Sequence, residues 1–323
     1  MEKDAVLIVT NADDPHVDYL FPIIQAKGVE CFRFDTEDFP TRIDASIELA
    51  GGEVSGRIMI PGHNFLSIDR IASVWYRRPI DSRVDERITV KELAKFVMRE
   101  SREFTESFWF QIDALWVNHP YRLKEAARKM QQLKVAKRIG WDIPPTLIAN
   151  DSEEVGRFIG KHREVVVKTL YNQFIISGGE YRSFFAHPIG REDLKYLGDI
   201  KLCPCIFQKN INKALELRIT VIGNNVFAAA LDTQSLESAK TDWRRAVVGH
   251  IPCRAFELSS EIIQKSLDLV KEFRLNFSTM DVILTPEGEY VFLDLNPNGQ
   301  WLWVESETGM PMAECFANLL AGG

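Results

Sequence analysis

The sequence predicts an α/β protein of more than one packed unit, and three observations carry that expectation. The chain has 323 residues, more than one domain usually holds, so two or three units are expected. It opens on a strand, helix and strand in succession, the pattern of a parallel sheet. Its second half alternates short strand-like runs and turn signals with helical stretches, so α/β and α+β arrangements are mixed.

Composition narrows the class. Hydrophobic residues make up 46% and charged residues 26%, as in ordinary globular proteins. A net charge of −7 argues against a nucleic-acid partner, which needs a broadly basic surface. No apolar run is long enough to span a membrane, and residues 1–4 lead into a strand without a signal-peptide pattern. The five cysteines are scattered, and the close pair Cys203 and Cys205 has no Cys/His partners that would complete a zinc site. Reduced thiols in a cytoplasmic protein are expected.

Taken in order, the run 5–10 is continuously apolar, as in a strand buried on both faces. A helix is expected over 16–27 and a strand over 29–34, without a Gly-x-Gly-x-x-Gly turn between. Residues 46–60 read as a hairpin around Gly51-Gly52, and 71–76 as a strand running into Trp75-Tyr76-Arg77-Arg78-Pro79. Arg77 and Arg78 are either a carboxylate- or phosphate-binding pair or a surface ion pair. Apolar spacings of three, four and seven predict one long helix over 90–116, and a domain boundary follows it. A second helix is expected over 122–139, ending at Gly140. Asp151-Ser152 starts another. The run Val165-Val166-Val167-Lys168 is unusual because lysine is depleted in strands. Gly178-Gly179, ten residues on, fits either a loop closing over phosphates or a plain turn. In Leu215–Gly223, Glu216, Arg218 and Thr220 share one face, and Asn224-Asn225 turns the chain back into Val226–Leu231. A polar loop over 240–245 carries Trp243, and helices are expected over 260–273 and 312–320.

The densest chemistry lies in 278–303. Two apolar runs flank Pro286-Glu287-Gly288-Glu289, the mark of a hairpin. With Glu287 and Gly288 as a two-residue loop, Asp281 falls opposite Asp294. Asp294 and Asn296 share a face because side chains alternate along a strand. Opposed Cβ atoms lie roughly 5 Å apart, so two carboxylates there repel unless something positive sits between them. Three oxygen side chains suit Mg²⁺, though solvated acids on a polar edge hairpin have the same spacing. With Lys129 on a helix, Lys168 at a strand end and Arg218 inside a strand, the set matches the needs of a polyphosphate. Neither a P-loop nor a kinase catalytic signature is present.

In this order the chain resembles the ATP-grasp superfamily over roughly 118–323: the Lys129 helix, Ile143-Pro-Pro-Thr146, Val165-Val-Val-Lys168, a Gly-rich loop, Phe207-Gln-Lys-Asn-Ile211, Glu216-Leu-Arg218, Asp281 and Asp294-Leu-Asn296. The resemblance implies an ATP-grasp fold in three parts. These are a pre-ATP-grasp α/β domain over 1–117, a central subdomain with a Gly-rich lid over 118–205, and a C-terminal subdomain with the metal site over 206–323. It implies that Lys129, Lys168, Gly178 and Gly179 hold ATP phosphates, that backbone near Gln208 and Lys209 holds adenine, and that Glu216 binds ribose. Arg218 would stabilise the transferring phosphoryl group, and Asp281, Asp294 and Asn296 would carry Mg²⁺. Lys209 departs from the acid many members have at the hinge, and Asp294 stands where a glutamate is common.

A narrower resemblance rests on Trp75-Tyr-Arg-Arg-Pro79, Asp242-Trp-Arg244 and Asn296-Pro-Asn-Gly-Gln-Trp-Leu-Trp303. Together these resemble graspetide synthetases, the microviridin-type peptide macrocyclases. That implies an ATP-dependent ligase acting on a ribosomally made precursor peptide with a leader and an acidic, hydroxyl-bearing core. A core Asp or Glu becomes an acyl phosphate, attacked by a Ser or Thr hydroxyl to give an ester or by a Lys amine to give an amide. Asp242 and Arg244 would face the core, with Arg244 pairing the acid, while Arg77, Arg78, Trp243 and Arg245 would contact peptide. Trp301 and Trp303 either wall off water or simply pack. The family tendency is a homodimer. Two other readings stay open: an ATP-grasp ligase adding amino acids such as glutamate to a peptide or protein, and a non-catalytic peptide- or nucleotide-binding module.

Overall fold

The computed structural model describes residues 3–171, 174–177, 180–246 and 251–322. The chain forms two compact units, Met1–Leu123 with Arg274–Phe277 and Pro311–Gly323, and Lys124–Phe273 with Ser278–Met310.

The first unit is built on a four-stranded parallel sheet in the order Glu30–Asp35, Ala5–Thr10, Ile71–Tyr76, Leu115–Val117. All six residues of Ala5–Thr10 are buried, as a strand sandwiched between layers requires. The helix Pro15–Gln25 starts on Asp14, whose carboxylate accepts from the His16 N–H, with proline at the first helical turn. The helix expected over 90–116 is shorter, Lys91–Trp109. The chain turns at Gln111 and Ile112, whose N–H groups bond Phe108 O and Trp109 O, and Leu115–Val117 joins the sheet. Spacing alone did not separate them, because Ile112 and Leu115 continue the helical period into a strand. The C-terminal helix Met312–Ala321 packs on the same sheet: Ser73 Oγ donates to Leu320 O at 2.7 Å, and the Trp75 and Phe316 rings lie 4.8 Å apart.

The second unit holds two larger sheets. One is antiparallel, in the order His187–Pro188, Val165–Lys168, Cys205–Lys209, Thr146–Ala149. The helix Ser152–His162, capped by Asp151, packs with it around Val155, Val165 and Phe207. A separate hairpin pairs Phe174–Ser177 with Glu180–Ser183. The other sheet has five strands, in the order Cys253–Ala255, Asn225–Leu231, Leu215–Ile222, Phe277–Leu284, Tyr290–Asn296. Its first turn falls on Gly223 and Asn224, one residue earlier than expected, because Ile222 pairs with Asn225 and Gly223 takes φ +58°. The helix expected over 122–139 is two, Pro120–Ala126 and Lys129–Ile139, so Lys129 opens a new helix rather than riding mid-helix.

The hairpin of 277–296 reaches the expected pairing by an unexpected route. Its loop has three residues, Pro286–Gly288: Thr285 N–H donates to Glu289 O at 2.9 Å, and Gly288 sits at φ +86°. That register would move Asp281 off Asp294. A bulge between Asp281 and Val282 restores it, since Val282 pairs with Phe292 while Asp281 pairs with Asp294. Leu293 is the extra residue that re-aims the strand.

Candidate active site

One cavity in the second unit is lined by eight of the residues that the sequence singles out: Lys129, Lys168, Gln208, Glu216, Asp242, Arg244, Asp281 and Asp294. It encloses about 50 Å³, and about 690 Å³ with its open mouth included.

Lys129 is the first residue of its helix, so the helix's positive end and an ammonium lie together, an arrangement that favours anions. Its Nζ lies 3.3 Å from Asp294 Oδ2. Buried Gln132 fixes this meeting. Its amide donates to Leu295 O (2.7 Å) and Ala126 O (2.6 Å) and accepts from Leu295 N–H (3.1 Å). The first turn of the helix is thus bound to the edge strand that carries Asp294.

Asp281 accepts from Arg218 Nη1 at 2.7 Å, and Arg218 Nη2 donates to Gln300 O at 3.2 Å. Arg218 itself lies behind the cavity wall, nearly fully buried, with no acceptor for its Nε–H among the described residues. Gln300 is delivered by a tight turn in which a Cβ on Gly299 would meet Thr279 Oγ1 at 1.8 Å. Only glycine lets that loop press on the strand.

Lys168 Nζ donates to Gln208 Oε1 at 2.8 Å. Gln208 is itself held in one orientation, donating to Thr146 Oγ1 at 3.0 Å, while that hydroxyl donates to Pro144 O. Burial, and then the nearby Lys129 ammonium, lower the Lys168 amine to about 8, with Asp294 opposing. Buried Glu216 accepts from Lys213 Nζ at 2.7 Å, and Lys213 also donates to Thr241 O. Burial raises the Glu216 carboxyl, against the pull of Lys213. Asp242 caps the short turn Trp243–Arg245 and accepts a two-pronged bond from Arg244, at 2.8 and 3.1 Å. Burial works against its charge, but Arg244 and the Ala186 and Arg244 N–H groups prevail and hold its carboxyl below the ordinary value. The same pairing raises Arg244.

The other described candidates are not among the residues that line the cavity. Asn296, expected on the metal face, is exposed; its Oδ1 accepts from Asn298 N–H as the strand ends and turns. Lys209, near which backbone was expected to hold adenine, is exposed, and its N–H bonds Pro145 O. Arg77 is fully buried in the first unit, 3.8 Å from Asp14, and offers no fork to solvent; Arg78 is exposed beside it. Arg245 is exposed and donates to Ala186 O. Trp243 packs against Trp303 rather than lining the cavity. Gly178 and Gly179 lie outside the described residues.

Four contributing residues were not singled out by the sequence. Lys213 sat in a polar break, Gln132 in an ordinary amphipathic helix, and Phe184 and Phe185 in an aromatic run. Only the i, i+3 spacing of Lys213 and Glu216 hinted at their pairing.

Among the described residues no three His, Cys, Asp or Glu side chains gather as a metal cluster. The two opposed carboxylates still fit a hard cation. Asp281 and Asp294 are each held by a cation already, and Mg²⁺ commonly takes one or two protein carboxylates and completes its shell from phosphates and water.

Residues 5–124 match the family model of the MvdD pre-ATP grasp domain. No curated protein sequence matches the chain. Among solved structures, the chain is similar to a RiPP-associated ATP-grasp ligase of Chryseobacterium gregarium in complex with ADP and a leader and core peptide. Identity is 31%, coverage 100% of this chain and 97% of that one, and the TM-score 0.93. It is likewise similar to the macrocyclase MdnC of Microcystis aeruginosa bound with precursor peptide MdnA, at 30% identity, 99% and 100% coverage and a TM-score of 0.86. The macrocyclase MdnB of the same organism follows at 26% identity, 99% and 100% coverage and a TM-score of 0.79.

Proposed function

The chain belongs to the RiPP-associated ATP-grasp ligases, the graspetide synthetases, and from that premise we propose that it closes rings in a ribosomally made precursor peptide at the cost of ATP. The observation that carries this reading is the single cavity in which Lys129, Lys168 and Arg244 face the opposed pair Asp281 and Asp294. Cations on several walls suit a triphosphate, and the carboxylate pair suits its Mg²⁺.

In this reading Lys129 and Lys168 bind phosphate oxygens, while Asp281 and Asp294 hold Mg²⁺. Magnesium-bound ATP supplies the phosphoryl group and draws off the charge that develops on its oxygens. Arg218, one hydrogen bond behind Asp281, acts on the same charge from behind the cavity wall. The apolar wall of Leu133, Ile206 and Leu293 takes the base. Glu216, held by Lys213, takes the ribose. Arg244 pairs a core Asp or Glu carboxylate, exchanging its bond to Asp242 for one to the peptide. The carboxylate oxygen attacks phosphorus and ADP leaves. A Ser or Thr hydroxyl or a Lys amine then attacks the acyl carbon, phosphate leaves, and the ring closes with net loss of one water. Phe184 and Phe185 on the cavity wall limit water that would otherwise hydrolyse the acyl phosphate.

The protein works as a cytoplasmic homodimer in this reading. Support comes from five free cysteines and from the exposed apolar side chains Val90, Leu93 and Phe96 at the start of one helix. No helix among the described residues is long and apolar enough to cross a membrane.

The test is ADP release with and without a candidate precursor peptide that has a leader and an acidic, hydroxyl-bearing core. Turnover that rises with the peptide, and falls when its core acids become amides, supports the reading. Turnover indifferent to those acids contradicts it.

A further inference from the structure

Asp242, Trp243 and Arg244 are consecutive, yet they face different ways. Asp242 and Arg244 line the cavity, whereas Trp243 does not. The indole lies under the Arg218 guanidinium instead, with the guanidinium carbon 5.9 Å from the ring centroid. That is within the reach of a cation–π contact. The indole also packs on Trp303 of the helix Leu302–Thr308, with centroids 5.3 Å apart and planes tilted by 34°. Both rings, with Leu236, Ala246 and Cys253, pack against buried Leu231, Ala239 and Ile251. Arg218 is therefore fixed from three directions: by Asp281, by Gln300 O and by the face of Trp243.

We propose that Trp243 is a positioning residue for Arg218, and that through it the turn that orients Arg244 also sets the guanidinium beside the phosphoryl site. This rests on the reading of Arg218 given above and goes beyond it. Only two residues of one short turn then connect the two cations, one acting on the peptide acid and one on the phosphoryl group. Trp303 is the neighbour that holds the indole in place beside Arg218. Trp243, expected from the sequence to contact peptide, makes ring contacts with Arg218 and Trp303.

The two rings are partly buried, so truncation to alanine invites misfolding, and the test uses graded replacements. In Trp243→Phe an aromatic face remains, and peptide-dependent ADP release should keep its kcat within about threefold. In Trp243→Leu the apolar bulk remains but the π face is gone; kcat should fall about tenfold or more while KM for ATP and for the peptide stays unchanged. Trp303→Leu should show a smaller loss of the same kind. The deciding comparison is Arg218→Lys alone and with Trp243→Leu. The proposal expects Arg218→Lys to lower kcat and Trp243→Leu to add little on top, because both act through one guanidinium. Fully additive losses, equal losses in Trp243→Phe and Trp243→Leu, or an effect on KM rather than kcat would each overturn it. If Arg218→Lys alone leaves kcat intact, the reading of Arg218 fails first and takes the proposal with it.

Discussion

Two buried Arg–Asp pairs divide this molecule's uses of charge. In the first unit Arg77 faces Asp14 at 3.8 Å, and both are fully buried. In the second, Arg218 bonds Asp281 at 2.7 Å. Asp14 has structural work: it caps the helix Pro15–Gln25 and accepts the Thr10 hydroxyl at 2.8 Å. Burial lowers Arg77 to about 10, with Asp14 opposing. Asp281, by contrast, forms part of a cavity wall and lies opposite a second carboxylate across a hairpin. The residue types match; what differs is whether a partner of the pair borders open space.

Four changes should break or sharpen that contrast. Asp294→Asn removes a metal charge from a partly exposed site; it should cost at least about 10²-fold in turnover and leave the melting transition in place. Full turnover at ordinary Mg²⁺ would remove Asp294 from the metal site. Arg77→Met should do the opposite. It strands Asp14 and should destabilise the protein by about 3 kcal/mol, read in denaturant melts, while kcat and KM of the folded enzyme stay as in the wild type. Arg244→Ala should lower peptide modification about tenfold or more and leave nucleotide affinity nearly unchanged; an unchanged modification rate would take Arg244 out of the peptide site. The mildest effect is one of pH. Lys168 sits near 8 instead of its usual 10.5, so bound phosphate must hold a proton on it. Nucleotide affinity should fall as pH rises above about 8, by up to tenfold per unit. Lys168→Arg should flatten that slope, and a wild-type profile level from pH 8 to 9.5 would contradict the assignment. The sign for stability runs the other way. The unfolded lysine binds its proton more tightly, so without ligand Lys168 penalises the fold below pH 8, and that penalty is relieved as pH rises towards 10.5.

The contrast also marks what was legible in the sequence. Continuous apolar runs located buried strands such as Ala5–Thr10, because burial acts directly on that pattern; alternation placed Glu216, Arg218 and Thr220 on one face, but both faces of Leu215–Ile222 are buried. The opposition of Asp281 and Asp294 was legible as an outcome but not as a geometry. A three-residue loop and a bulge at Leu293 cancel, and nothing in residue type marks that bulge. Helix ends blurred wherever apolar spacing ran on into a strand, as at Ile112 and Leu115. Arg77 and Arg218 both stood out as cations at or inside strands. Only packing separates them, since Arg77 is buried against Asp14, which lies far from it in sequence. Lys213 and Gln132 were invisible for the same reason, because each acts through a partner brought in by the fold.

The central claim is ring closure driven by ATP, and intact-mass spectrometry of a candidate precursor peptide tests it most directly. With the enzyme, ATP and Mg²⁺, the peptide should lose the mass of one water for each ring and none without ATP; hydroxylamine or mild base should then open esters but leave amides. A peptide that keeps its mass while ATP is consumed, or gains the mass of an amino acid, would contradict the account.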